Sequence, residues 1–173
     1  MHQIREGTRA DLNDVLSLNQ AEEKWTSELD LDSLEELMDY SVAFKLLADT
    51  ESVFGFALVM NSSSAYSNAN LDWFNARLES FWYVDRIVVA GTCALQGYGR
   101  ALYEHIFASA RQEKVRSITC EYSTRPMNER SAAFHAQMGF REIGNRNDKT
   151  NGKGLSMQVC ELSVQADPAF VSG

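Results

Sequence analysis

Residues 87–107 read IVVAGTCALQGYGRALYEHIF. A run of β-branched residues stops. A loop carrying Gly91, Gly97 and Gly99 follows, and apolar side chains then recur at Leu102, Ile106 and Ala110, the spacing of one helix face. A second strand-like run, RSITCEYS, comes directly after. A strand, a crossover helix and another strand return the chain in its original direction, so this stretch commits the fold to a parallel strand pair. The corner also points backbone N–H groups and the positive end of a helix dipole at one place, a natural seat for a phosphate.

The flanking sequence predicts mostly antiparallel partners. MHQIREGT reads as a first strand. RADLNDVLSLNQAEEKW places Leu12, Val15, Leu16 and Leu18 at near-helical spacing, with Asp11 near its start. DLDSLEELMDYS reads as a second helix, capped by Asp32 or Ser33, with Leu34, Leu37 and Met38 on one face. AFKLLADTESVFGFALVMN is two strands, 43–48 and 52–60, joined by a tight polar turn. NSSSAYSNANLD is polar and glycine-free and reads as a loop; ESFWYVDRIVVA is the strongest strand signal in the chain. NERSAAFHAQMGF predicts a helix ending near Gly139, and REIG and GLSMQVCELSV supply two final strands. The predicted order is β-α-α-β-β-β-α-β-α-β-β. That is a single mixed α/β domain over residues 1–165, leaving 166–173 as a C-terminal tail.

Composition narrows the partners. The 173 residues are 45% hydrophobic and 23% charged, ordinary for a globular chain. The net charge of −8 argues against nucleic acid or an anionic membrane surface, so a polyanionic small ligand would need a local pocket of amides and arginines. Cys93, Cys120 and Cys160 are odd in number and widely spaced, which suggests neither a disulfide framework nor a zinc site. With no signal-like N-terminus and no long apolar run, the expected location is a reducing cytoplasm.

Taken alone, the GYG at 97–99 fits an ordinary tight turn as well as a phosphate loop. A Walker A loop would need a Gly-Lys-Ser/Thr ending, which is absent. A dinucleotide fingerprint would need a third glycine where Leu102 stands, although Glu121 lies about where a ribose-binding acid would fall. An NAD-type dinucleotide-binding protein therefore stays as an alternative.

Two blocks together carry a family resemblance. Gln96-Gly97-Tyr98-Gly99-Arg100-Ala101 resembles the Gln/Arg-x-x-Gly-x-Gly/Ala signature of the GCN5-related N-acetyltransferases (GNAT). About thirty residues on, residues 128–140, NERSAAFHAQMGF, resemble that family's Asn-x-x-Ala/Ser-x-x-Phe-Tyr-x-x-x-Gly-Phe helix. The element order agrees over nearly the whole chain. The resemblance implies a mostly antiparallel sheet whose central parallel pair is splayed, flanked by helices, with acetyl-coenzyme A as co-substrate and no metal. It implies that amides of residues 96–101 hold the pyrophosphate, that Ile87, Val88 and Val89 pair with the thioester arm, and that Asn128 caps its helix and touches that arm. Arg100 is either a phosphate contact or a solvated helix residue. Two departures stand out: Gln96 lies seven positions after Val89 with no proline between, where many members have about five with one; and His135 occupies the usual tyrosine position.

Acetyl transfer to an amine moves two protons: one leaves the ammonium and one can reach the departing thiolate. At the tyrosine position His135 is the expected proton donor to sulfur; the competing reading is a packed, satisfied histidine. For the base, Asp85 and Glu121 compete. The two-residue strand period places Tyr83 and Asp85 on the face of Ile87 and Val89, and a buried Asp85 would need a partner such as Arg86 or Arg130. Trp73, Phe74, Trp82 and Tyr83 either wall the amine site or belong to the core. The expected activity is acetyl transfer from acetyl-coenzyme A to a primary amine. A non-catalytic acyl-coenzyme A sensor is the alternative of another class. The sequence allows a homodimer and leaves the amine and the acyl length open.

Overall fold

The structure is a computed structural model and describes residues 2–22 and 24–163. The expected tail at 166–173 lies outside the described residues. The elements in chain order are β1 (Gln3–Glu6), α1 (Leu12–Ala21), α2 (Leu31–Tyr40), β2 (Ala43–Ala48), β3 (Val53–Asn61), α3 (Ala69–Asn75), β4 (Phe81–Val89), α4 (Tyr98–Gln112), β5 (Ser117–Arg125), α5 (Glu129–Gln137), β6 (Arg141–Asn147) and β7 (Gly154–Glu161). The strands form one sheet in the order β1-β2-β3-β4-β5-β7-β6. Only β4 and β5 run parallel; all other neighbours are antiparallel.

The sheet carries a core on each face. On one, α1, α2 and α3 cover Leu46, Phe56, Leu58, Met60, Phe81, Tyr83 and Met157. On the other, Tyr103, Ile106, Phe107 and Ala110 of α4 cover Ala57, Val59, Val84, Ile118 and Cys120. Removal of such side chains from water is worth about 1.5–3 kcal/mol each and holds the helices to the strands. The helical spacing read in α4 is realised: Leu102, Ile106 and Ala110 are fully buried.

Two local readings change. The polar stretch before β4 is not all loop, because residues Ala69–Asn75 form α3. Its start is set by the Asn68 side chain, which accepts from the amides of Asn70 and Leu71. Leu71 and Phe74 bury its inner face. Seven residues give too few turns for the apolar period to stand out in the sequence. In α2 the cap is Asp30, not Asp32 or Ser33: its carboxylate accepts from the Ser33 amide at 2.8 Å.

The decisive irregularities lie in β4. It pairs with β5 only across Phe81–Ser117, Trp82–Ile118 and Tyr83–Thr119, and beyond these the two strands part. On its other side the register against β3 slips: Leu58 faces Arg86 while Val59 faces Val84, so Asp85 is an extra, bulged residue. The bulge reverses the alternation. Tyr83 and Val88 pack on the α1 face, while Val84 and Ile87 pack on the α4 face. The expected common face for Tyr83, Asp85, Ile87 and Val89 is therefore corrected.

Candidate active site

The parting of β4 and β5 opens a cleft of about 990 Å³ that crosses the sheet. One wall is the corner. Gly97 is the N-cap of α4 and sits at φ +81°, a left-handed conformation that glycine adopts without strain. A Cβ there would meet nothing within 4 Å, so the approach to the helix start is open. The first amides of α4 have no carbonyl before them in the helical ladder and point out of its end. Ile87, Val88, Val89, Gly97, Tyr98, Gly99, Arg100 and Asn128 all line the cleft; Gln96 and Ala101 do not. Arg100 is exposed at the mouth. Asn128 caps α5, accepting from the Ser131 amide at 3.0 Å. The N-terminal residues brace the corner, with the His2 ring 2.5 Å from the Tyr98 hydroxyl, a contact that sequence reasoning had no signal to find.

The three candidate proton-transfer residues are brought to the same cleft in different states. Asp85 is paired: its Oδ2 accepts from Arg86 Nε at 2.9 Å and its Oδ1 from Asn68 at 3.3 Å. Arg86 also donates to Asn19 at 2.8 Å and to the Ser27 hydroxyl at 2.8 Å, tying β4 to α1 and to the loop that forms another wall of the cleft. Of the two partners expected for Asp85, Arg86 is the one it takes.

Glu121 is different. Tyr83 Oη at 3.0 Å and Asn70 Nδ2 at 2.8 Å both donate to one oxygen, Oε1. The other oxygen, Oε2, is buried without a partner. Burial, with the nearby Asp85 charge as second cause, pushes the Glu121 carboxyl up to about 8, against lowering contributions from Tyr83, Asn70 and Arg146. Tyr83, one of the four aromatics left open, is both core and cleft. Phe74 and Trp82 are buried core, and Trp73 stacks over Gly144.

His135 lines the cleft from a buried, aromatic setting. It is 4% exposed and ringed by Tyr103, Tyr122, Phe134 and Phe140. Its Nδ1 lies 2.8 Å from the Ser131 carbonyl, which can only accept, so Nδ1 carries the hydrogen. Nε2 then accepts from the Tyr103 hydroxyl at 2.9 Å. Burial lowers its pKa and keeps the ring neutral. Both ring nitrogens are hydrogen-bonded inside the protein.

Residues 12–140 match the family model of the acetyltransferase (GNAT) family. The chain belongs to the acetyltransferase (GNAT) family. Solved structures of this fold agree. The ribosomal-protein-S18-alanine N-acetyltransferase from Escherichia coli superposes with a TM-score of 0.73 at 15% identity, over 98% of this chain and 99% of that one. Ard1 from Thermoplasma volcanium gives 0.76 at 18% identity, over 93% and 97%. N-acetylglutamate synthase from Neisseria gonorrhoeae, complexed with coenzyme A and N-acetyl-glutamate, gives 0.69 at 17% identity, over 94% of this chain and 35% of that one. No curated protein matches the chain significantly. With GNAT membership the dinucleotide alternative falls, since only one strand pair in the sheet is parallel. Among the described residues no cluster of three or more metal-ligating side chains occurs, and no helix is long and apolar enough to cross a membrane.

Proposed function

We propose that this GNAT protein transfers an acetyl group from acetyl-coenzyme A to a primary amine, with Glu121 as the general base. The carrying observation is that Glu121, whose buried Oε2 has no partner, lines the cleft that the β4–β5 separation opens. A buried carboxylate oxygen with no donor is costly, and an ammonium ion is the donor that completes it. A carboxyl raised to about 8 also matches the task, because a base works best with a pKa near the working pH.

The residues present fit the co-substrate. The open helix start at Gly97 and the Arg100 guanidinium suit a pyrophosphate, and the β4 backbone beyond Tyr83, no longer paired with β5, suits an amide-bearing arm. A neighbour of this fold complexed with coenzyme A supports the same reading. In the reaction the ammonium gives a proton to Glu121 Oε2 and the amine nitrogen attacks the thioester carbonyl carbon. The new C–N bond forms, the second N–H proton passes from the nitrogen of the tetrahedral intermediate to solvent water, the C–S bond breaks and the sulfur leaves as thiolate with its electron pair. An amide of the separated β4 edge is a suitable donor to the oxyanion. No acid is required at sulfur: a thiol pKa of about 8.5 makes the thiolate an adequate leaving group. His135 is then a buttress that fixes α5 against Tyr103.

The test is thiol release from acetyl-coenzyme A with a panel of primary amines. Turnover that falls ~10²–10⁴-fold in Glu121→Gln supports the base. Cofactor binding with no turnover on any amine would leave a sensor instead.

A further inference from the structure

Arg146 of β6 was not singled out by any motif, yet it lines the cleft. It is partly buried and makes no ion pair among the described residues. One contact is recorded for its guanidinium: NH1 donates to Asn70 Oδ1 at 2.5 Å. The opposite end of the same carboxamide donates to Glu121 Oε1 at 2.8 Å. Asp148, next along the hairpin, feels the Arg146 charge, but its Oδ1 is taken by the amide and hydroxyl of Thr150. The guanidinium has five N–H donors and spends one of them on Asn70, in a residue that lines the cleft.

The two ends of this relay are complementary to one molecule. Glu121 Oε2 lacks a donor, and Arg146 lacks an anion. Two hydrogen bonds and the carboxamide between them hold Arg146 NH1 within about 8 Å of Glu121 Oε1. After a hydrogen bond at each end, only a few bonds' length remains. Resting on the proposed transfer reaction, we infer that the amine substrate is an amino-carboxylate: a free amino acid whose amine sits on Glu121 and whose carboxylate is forked by Arg146. Asn70 spaces the two. An arginine suits this role because its planar fork matches a carboxylate on two hydrogen bonds.

The experiment compares free amino acids, their carboxamides, simple alkylamines and short peptides with an N-terminal aspartate as substrates, in wild type and in Arg146→Gln. Free amino acids should exceed their own carboxamides by ~10–100-fold in kcat/KM, mostly through KM, since a lost charge-assisted hydrogen bond is worth about 1.5–3 kcal/mol. In Arg146→Gln that ratio should collapse to within a few-fold, with Arg146→Lys in between. If Arg146 only positions Asn70, both substrates lose equally and the ratio stays, which overturns the inference. Peptides preferred over free amino acids would also overturn it. If no amine at all is acetylated, the transfer reading has failed. Calorimetric titration of the amino acid and its carboxamide into wild type and Arg146→Gln with coenzyme A present then decides the subsite: selective binding of the carboxylate form, lost in the variant, sustains it, and no such selectivity rejects it.

Discussion

Glu121 and Asp85 sit side by side in one cleft and divide the labour by their partners. Asp85 has an arginine 2.9 Å away; Glu121 has two neutral donors on one oxygen and none on the other. With Glu121 as the proposed base, the active form is the deprotonated one, so kcat/KM should rise with pH and level off above about 8. The Asp85 charge contributes to that raised value, so Asp85→Asn should move the rising limb to lower pH. An unmoved limb in the pH–rate profile would show that the limb belongs to the amine substrate rather than to Glu121. The same group has a stability signature. Its folded pKa lies above its unfolded one, so the native state binds the extra proton, and stability falls as pH climbs from the ordinary carboxyl range toward 8. Glu121→Gln should therefore melt higher than wild type at pH 8 while losing activity, and near pH 4 the two should melt alike. His135 behaves in the opposite way. His135→Phe removes both ring hydrogen bonds and leaves the buried Tyr103 hydroxyl with only the weak Cys120 thiol beside it, at a cost of about 1–3 kcal/mol. Thermal unfolding should register that loss while kcat stays within a few-fold; a 100-fold drop in kcat with acetyl transfer rate-limiting would return the proton-donor role to the imidazole.

Among the elements, α3 does the most for the site in the fewest residues. Asn68 before its first turn reaches Asp85, Asn70 bridges Glu121 and Arg146, and Trp73 one turn on lies against β6. The indole has room only because position 144 has no side chain: a Cβ on Gly144 would stand 2.7 Å from Trp73 Cζ2 and 2.9 Å from Cη2. Arg77 stacks on the exposed side of the ring at 3.8 Å. Gly144→Ala should push Trp73 and α3 outward, costing about 1–3 kcal/mol of stability. It should also lower kcat/KM and shift the pH limb as Asn70 leaves Glu121. Trp73→Phe in the Gly144→Ala background removes both crowding atoms, and it should restore the pH profile if α3 is the positioning element. Profiles identical in wild type and Gly144→Ala would show that α3 is packing alone.

At the scale of the whole molecule, the sheet holds together through antiparallel pairs and gives way at its one parallel pair, which shares only three residue pairs before it opens. The cleft therefore interrupts the sheet between its two cores rather than sitting on the surface, and a molecule bound there bridges both halves. Coenzyme A should accordingly raise the melting temperature, by about 2.7 kcal/mol of stability at a hundredfold excess over Kd, and NAD should not; equal stabilisation by both would reject the coenzyme reading. The glycine corner that forms one wall of this cleft was legible in the chain because its determinants are local: a β-branched run, glycines at 97 and 99, and a helical apolar period lie within about twenty consecutive residues. The far side of the cleft was legible only as a short list of candidates, Asp85, Glu121 and His135, without their partners. What sets Glu121 apart from Asp85 is a bulge at Asp85, beside its partner Arg86, a seven-residue helix too short to show a period, and contacts spanning 51 and 76 positions between Asn70 and its two partners. Residue type and spacing determine which face a side chain takes and which backbone groups are free, because those depend on near neighbours. Whether a buried acid finds a cation, two amides or nothing depends on which distant segments pack around it, and only the tertiary structure decides that.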